Sequence, residues 1–209
     1  MCCIKNSTEG VNMKAKMINK KVITICIILG TFLVLSIIFT YKLQNSKPDY
    51  VYMHASWTYR YKDVAELTDL SDCIAKVTVK DNGTTIGNGT IPESVFSVEV
   101  SEAIYNCEKG DELSIYMTGG SKDNRIFVIS DDPLMKKEEE YIIFAKKNTD
   151  GTFSVLGGSQ GRMQYKDGKI SSLNVVNTQV KESGSSVIKL DNIMEDVFID
   201  EIQSYLTNK

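Results

Sequence analysis

Residues 22–41, VITICIILGTFLVLSIIFTY, hold twenty consecutive positions without a charged side chain. At about 1.5 Å per residue, a helix of that length covers about 30 Å, the thickness of bilayer hydrocarbon. A soluble helix keeps one polar face for water, and this run has none. A cleaved signal peptide has an apolar region of about 7–15 residues ending in small side chains. Here the run is longer and leads into TyrLysLeuGlnAsn (41–45), so the reading is an uncleaved signal anchor whose partner is the cell membrane. Lys14, Lys16, Lys20 and Lys21 crowd its amino-terminal flank, against Lys42 and Lys47 on the other side. The flank richer in Lys stays in the cytoplasm, which predicts a single-pass protein with a cytoplasmic amino terminus and an extracellular carboxy-terminal domain. The expected layout is a basic tail at 1–21, the transmembrane anchor at 22–41, a stalk at 42–61 and an extracytoplasmic domain at 62–209.

The net charge of -3 conceals an asymmetry between the two parts. Residues 1–41 carry five Lys and one Glu, or +4, which leaves 19 basic against 26 acidic side chains, or -7, for the remainder. An acidic module lacks the basic stripe a nucleic-acid binder needs, so no nucleic acid is expected as a partner.

Catalytic signatures are sparse. The single His, His54, removes zinc sites built from several imidazoles and leaves one candidate histidine base, read as an exposed or packing residue. There is no Walker phosphate loop, no Gly-x-Ser-x-Gly elbow leading from a strand into a helix, no His-Glu-x-x-His and no Cys-x-x-Cys. GlyGlySer (119–121) and GlyGlySerGlnGly (157–161) follow strand-like runs with no helical pattern after them, and read as turns. The carboxylates Asp131, Asp132, Glu138, Glu139 and Glu140 flank Pro133 and two lysines, Lys136 and Lys137, where solvated charge is expected. The chain is therefore expected not to be an enzyme and to need no cofactor or metal. In the glycine- and asparagine-rich connection 81–90, Asp81 is the only carboxylate, too few oxygen ligands for calcium, and a loop is expected.

Periodicity outlines the domain. Tyr50, Tyr52, Trp57, Tyr59 and Tyr61 suit either the membrane interface or packing on the domain as a first strand or arm. Val64, Leu67 and Leu70 recur at helical spacing. Runs at 73–80, 95–105, 112–117, 125–129, 141–145 and 152–156 read as strands, and Asp150-Gly151 and Asp167-Gly168 as hairpin turns. Met194, Val197, Phe198, Ile202, Tyr205 and Leu206 form an apolar helical face, with Asp191 or Asn192 as the cap. Short strands joined by turns predict a mainly β sandwich or barrel flanked by helices.

Three stretches carry a family resemblance: LeuThrAspLeuSerAspCysIleAlaLysValThrValLys (67–80), ValPheSerValGluValSerGluAlaIleTyrAsnCysGluLysGlyAsp (95–111) and GluGluTyrIleIlePheAlaLysLysAsnThrAspGlyThrPhe (139–153). Over roughly residues 65–160 they resemble the oligonucleotide/oligosaccharide-binding (OB) barrel of tissue inhibitors of metalloproteinases and netrin modules. The likeness is greatest to membrane-anchored and lipoprotein relatives in Gram-positive bacteria. It implies a five-to-six-stranded OB-like barrel with exposed loops at one end. The animal inhibitors chelate zinc through a free amino-terminal Cys in a Cys-x-Cys motif, which the start of this domain lacks, so no inhibitory residue is transferred.

The expected function is a membrane-anchored extracytoplasmic module that binds a protein or an envelope component. The alternatives are a protease inhibitor or modulator acting through barrel loops, and a carboxylate-based envelope hydrolase. Loop positions nominate Asn82, Thr84, Asn88, Gly119, Gly120, Ser121, Lys122 and Arg125 for binding. On an oxidising surface, Cys73 and Cys107 are the domain's two candidates for a disulfide. If the orientation is right, protease added to intact cells removes residues 62–209 at a rate similar to a known surface protein. Protection under conditions that cut the surface control, and loss of that protection only on lysis, would reverse the topology.

Overall fold

The computed structural model describes residues 20–44, 47–55, 57, 59–87, 89–173 and 188–207, in two units divided in the chain between Lys47 and Pro48. The first holds helix α1 (Lys20–Gln44), in which Ile23–Tyr41 have a mean hydropathy of 2.6 and are long and apolar enough to cross a membrane. Three of its hydroxyls are satisfied within the helix. Thr31, Ser36 and Thr40 donate to the carbonyls of Ile28, Leu33 and Ile37 at 2.8, 2.8 and 2.9 Å. Such internal bonds remove the cost of an unpaired donor in hydrocarbon. The basic tail up to residue 19 lies outside the described residues.

The second unit contains, in chain order, β1 (Asp49–Met53), α2 (Val64–Leu70), β2 (Cys73–Val79), β3 (Thr84–Ile86), β4 (Glu93–Tyr105), β5 (Glu112–Thr118), β6 (Gly120–Lys122), β7 (Arg125–Ile129), β8 (Glu140–Lys147), β9 (Phe153–Val155), β10 (Arg162–Lys166), β11 (Lys169–Ser172), β12 (Ile193–Met194) and α3 (Glu195–Thr207). Strands β8, β2, β4, β5 and β9 pair in that order, and β9 pairs back to β8, closing a five-stranded barrel. Every neighbour is antiparallel except β5 and β9. This is the expected OB-like barrel. Beyond β8 the sheet extends through β10, β11 and β12, while β1, β7 and β6 form a separate three-stranded sheet.

Alternation along the barrel strands separates two cores. Ala75, Val77 and Val79 of β2, Phe96, Val98 and Val100 of β4, and Tyr141, Ile143 and Ala145 of β8 fill the barrel. Ile74, Ile142 and Phe144 point the other way, against Val64 and Leu67 of α2 and Phe198 and Ile202 of α3. Strand β8 is buried on both faces, which is why TyrIleIlePheAla reads as a continuous apolar run.

Asp63 caps α2 by accepting from the Glu66 amide at 2.9 Å, and Glu66 returns to the Lys62 amide at 2.7 Å. Lys76 on β2 is paired with Glu102 on β4 and Glu195 on α3, tying the last helix to the barrel. Burial opposes its charge, but the two carboxylates prevail and raise its pKa.

Several boundaries differ from the sequence reading. Part of the segment read as a stalk belongs to the domain, because Asp49–Met53 pair in parallel with Arg125–Ile129 as β1. The connection 81–90 contains β3, held on β4 by the pairs Thr84 to Val95 and Ile86 to Glu93. Helix α3 does not start at a cap on Asp191 or Asn192, since Ile193 and Met194 are drawn into pairing with β11. Its apolar face is also narrower than expected: Met194 and Val197 are exposed, and Phe198 and Ile202 carry the burial. Asp167 and Gly168, with φ of 51° and 75°, form the two-residue link between β10 and β11, as the hairpin reading expects.

Phe198 meets Phe144 edge-on, with centroids 6.4 Å apart. Phe198→Ala should destabilise the domain by about 3–5 kcal/mol in urea unfolding. The expected cost of truncating the exposed Val197 to Ala is below about 0.5 kcal/mol. Equal losses would show that α3 does not seal the outer core.

Candidate interaction surface

The small sheet and the barrel meet at β6 and β3. The Ser121 amide donates to the Thr85 hydroxyl at 3.0 Å, and Lys122 Nζ reaches the Gly89 carbonyl at 2.6 Å. Ser94 of β4 donates to the Gly119 carbonyl at 2.8 Å. These contacts join β1, β7, β6 and β3 into one strip assembled from segments more than 30 residues apart in sequence.

Of the nominated residues, Thr84, Ser121 and Lys122 come together where β3 meets β6. Arg125 faces Lys122 across the β6–β7 hairpin and Asp49 across β1. Asn82, Thr84, Ser121 and Arg125 are exposed and Lys122 is half-buried. Gly119 and Gly120 are buried, where they permit close packing and present no side chain to a ligand. Gly120 has a φ of 148°, and an added Cβ would lie 2.3 Å from the Ser94 hydroxyl. Asn88 lies outside the described residues. The loop carboxylate Asp81 accepts from the Gly83 amide in a local turn and from the Ser97 amide of β4.

Strand β1 contributes residues that the loop-based reading missed. It is the outer strand of its sheet, without a partner strand on its other side among the described residues. Tyr50 and Tyr52 are 53% and 63% exposed, with rings stacked at 6.1 Å. Their i, i+2 spacing is visible in the sequence, but only the pairing with β7 puts them on a sheet edge.

The residues that follow β7 in the chain take part in a buried polar joint. Arg162, at the start of β10, is 1% exposed, bonds Asp132 at 2.9 Å and the Pro133 carbonyl, and stacks its guanidinium 5.1 Å from the Tyr141 ring centre. The Trp57 indole donates to Asp131 at 2.7 Å. The Tyr61 amide donates to the Gln160 side chain at 2.8 Å. Trp57 and Tyr61 thus pack on the domain, one of the two expected placements. Asp131 and Asp132 are engaged structurally, in contrast to the solvated carboxylates anticipated. Glu139 accepts from the Tyr141 hydroxyl and pairs with Lys136 at 3.4 Å.

GlyGlySerGlnGly (157–161) also has the Gly-x-Ser-x-Gly spacing of a hydrolase nucleophile elbow, a match the turn reading passed over. An elbow links a strand to a helix and exposes its Ser. Here a 3-10 turn (Gly158–Gln160) links β9 to β10 and Ser159 is buried. An added Cβ at Gly158 would lie 2.3 Å from the Trp57 ring, so the glycine serves the packing of the arm.

A shallow cleft of about 670 Å³ lies beside β5 and the β8–β9 turn, lined in part by Tyr116, Lys146, Lys147, Asp150 and Ser154. Burial and a hydrogen bond to Glu93 push the Tyr116 hydroxyl up to about 12, so it is a neutral donor at physiological pH. Thr152 holds the Asp150 carboxyl below its usual range.

Burial holds the Asp132 carboxyl above its usual range, Arg162 pulls it down, and Asp131 pushes it up. Removing Arg162 should lift it further. A carboxyl whose folded pKa exceeds its unfolded value contributes fully below the unfolded value, and the contribution is lost as pH rises through the folded pKa. Arg162→Met should therefore cost about 3–5 kcal/mol at pH 8 and markedly less near pH 4, each relative to the parent at the same pH, read by urea unfolding. A deficit independent of pH would reduce Arg162 to a packing role.

No protein family, curated protein or solved structure matches the chain.

Proposed function

We propose that this protein is a membrane-anchored extracytoplasmic interaction module, related to the netrin-like barrels, that binds a protein or envelope component along the β1–β7–β6–β3 strip. The supporting observation is the exposed edge strand β1 with its stacked Tyr50 and Tyr52. An unpaired strand edge offers backbone donors and acceptors to an incoming extended segment. Tyrosine supplies large contact area at low entropic cost, with a hydroxyl for a polar partner. Thr84, Ser121, Lys122 and Arg125 continue the strip with hydroxyls and positive charge.

The test is crosslinking capture of tagged full-length protein in intact cells, with mass spectrometry and a control lacking residues 62–209. The expected result is a partner lost in that control and reduced about tenfold or more by combined Tyr50→Ser and Tyr52→Ser, with thermal stability little changed. A partner captured equally by the parent and the double variant would move the binding site off this strip. Capture identical with and without residues 62–209 would end the interaction-module reading.

A further inference from the structure

We propose that Cys73 and Cys107 form a site of oxidation to an intramolecular disulfide, with Cys107 as the entry thiol and Cys73 as the resolving thiol. Both are free in this structure. Cys73 opens β2, and Cys107 lies two residues beyond the end of β4, next to the cross-strand pair Ile74 and Tyr105. The Cys107 thiol donates to the Ile74 carbonyl at 3.4 Å, one residue from Cys73, and packs against the barrel core that contains Cys73. The two side chains therefore converge on one place from adjacent strands.

Their environments differ in a way that orders the reaction. Cys73 is 1% exposed, whereas Cys107 is half-buried and is the one an oxidant reaches. The thiol–thiol hydrogen bond brings the Cys107 pKa down to about 7, against burial, with help from the Ile104 and Tyr105 backbone and opposition from Asp111. The same hydrogen bond, with burial, raises Cys73. Cys107 therefore gives up its proton more readily than Cys73, releasing its bond to the Ile74 carbonyl as it becomes the nucleophilic thiolate.

With a small disulfide such as oxidised glutathione as oxidant, the Cys107 thiolate attacks one sulfur, forming a mixed disulfide and expelling one glutathione thiolate. Cys73 loses its proton, attacks Cys107 Sγ and expels the second glutathione thiolate. The protein gains one S–S bond. The oxidant disulfide is reduced to two thiols, which take up the two protons the cysteines release. The bond closes a loop over residues 73–107, which contains β3 and the 81–92 connection of the proposed binding strip. The site itself rests on the β2–β4 geometry and stands independently of that binding reading.

Purified full-length protein, folded in detergent, is treated with oxidised glutathione, quenched in acid, alkylated and mapped by non-reducing peptide mass spectrometry. The expected product is a Cys73–Cys107 linked peptide that disappears on reduction and is separate from any product at Cys2, Cys3 or Cys26. Cys73→Ala should trap glutathione on Cys107, and Cys107→Ser should leave Cys73 unmodified in the folded protein. Either of two results overturns the proposal: parent protein that stops at the Cys107–glutathione adduct, or parent protein in which Cys73 is modified before Cys107. The parent and Cys107→Ser, altered only at a half-buried site, suffice if Cys73→Ala fails to fold.

Discussion

A two-residue parallel pairing, Ile115 with Phe153 and Tyr116 with Ser154, closes the barrel. Without it, β5 and β9 would present unpaired edges and the interior face of β4 and β5 would be open to water. Strand β9 has only three residues, so it depends on its neighbours for position. The Asp150-Gly151 turn returns it antiparallel to β8, and the Leu156 amide then bonds the Phe144 carbonyl at 2.9 Å. The Phe144 amide bonds the Gly161 carbonyl at 2.8 Å, which leads the chain directly into β10. Closure and the start of the outer sheet are thus one continuous set of backbone bonds around β8.

Strand β8 is consequently the hinge between two cores. Its odd and even positions serve the barrel interior and the helical layer in turn, so a one-residue slip would exchange Ile143 for Phe144 and disrupt both. The same region carries the costliest electrostatics. Arg162 begins β10 beside β8, and its charge is compensated by Asp132, the Pro133 carbonyl and the Tyr141 ring. A buried pair of this kind contributes little net stability compared with apolar packing, but it penalises any arrangement that separates its members. It therefore specifies how the 130–135 connection seats against the barrel, and with it the β6–β7 hairpin that leads into that connection.

The proposed interaction strip depends on these constraints. Its strands come from the beginning of the domain, from the first barrel connection and from the segment between β5 and β8. Each is short, and their combined surface exists only once the barrel has fixed β4 and β5. Loop chemistry nominated Thr84, Ser121, Lys122 and Arg125, and the fold brings three of these together with Arg125 on the same hairpin. Gly119 and Gly120 were also nominated by loop position, yet they lie buried because the backbone approaches Phe127 at Gly119 and Ser94 and Thr85 at Gly120. Tyr50 and Tyr52 were noticed as aromatics beside an anchor, while their place on a sheet edge required a strand partner 76 residues away.

By itself the sequence determined whatever depends on local periodicity and composition. An uninterrupted apolar run makes a helix long enough for a bilayer, alternation makes β2, β4 and β5, and Asp-Gly pairs turn the chain back on itself. Each of these is set by a residue's own side chain and its near neighbours. Only the tertiary structure decided the parallel closure of β9, the recruitment of Asp49–Met53 and Ile193–Met194 into sheets, the burial of Arg162 with Asp132, and the meeting of Cys73 with Cys107. Those outcomes depend on which distant strands become neighbours. That choice follows from burying two cores at once while leaving few buried polar groups unpaired, a condition no short stretch of sequence can express.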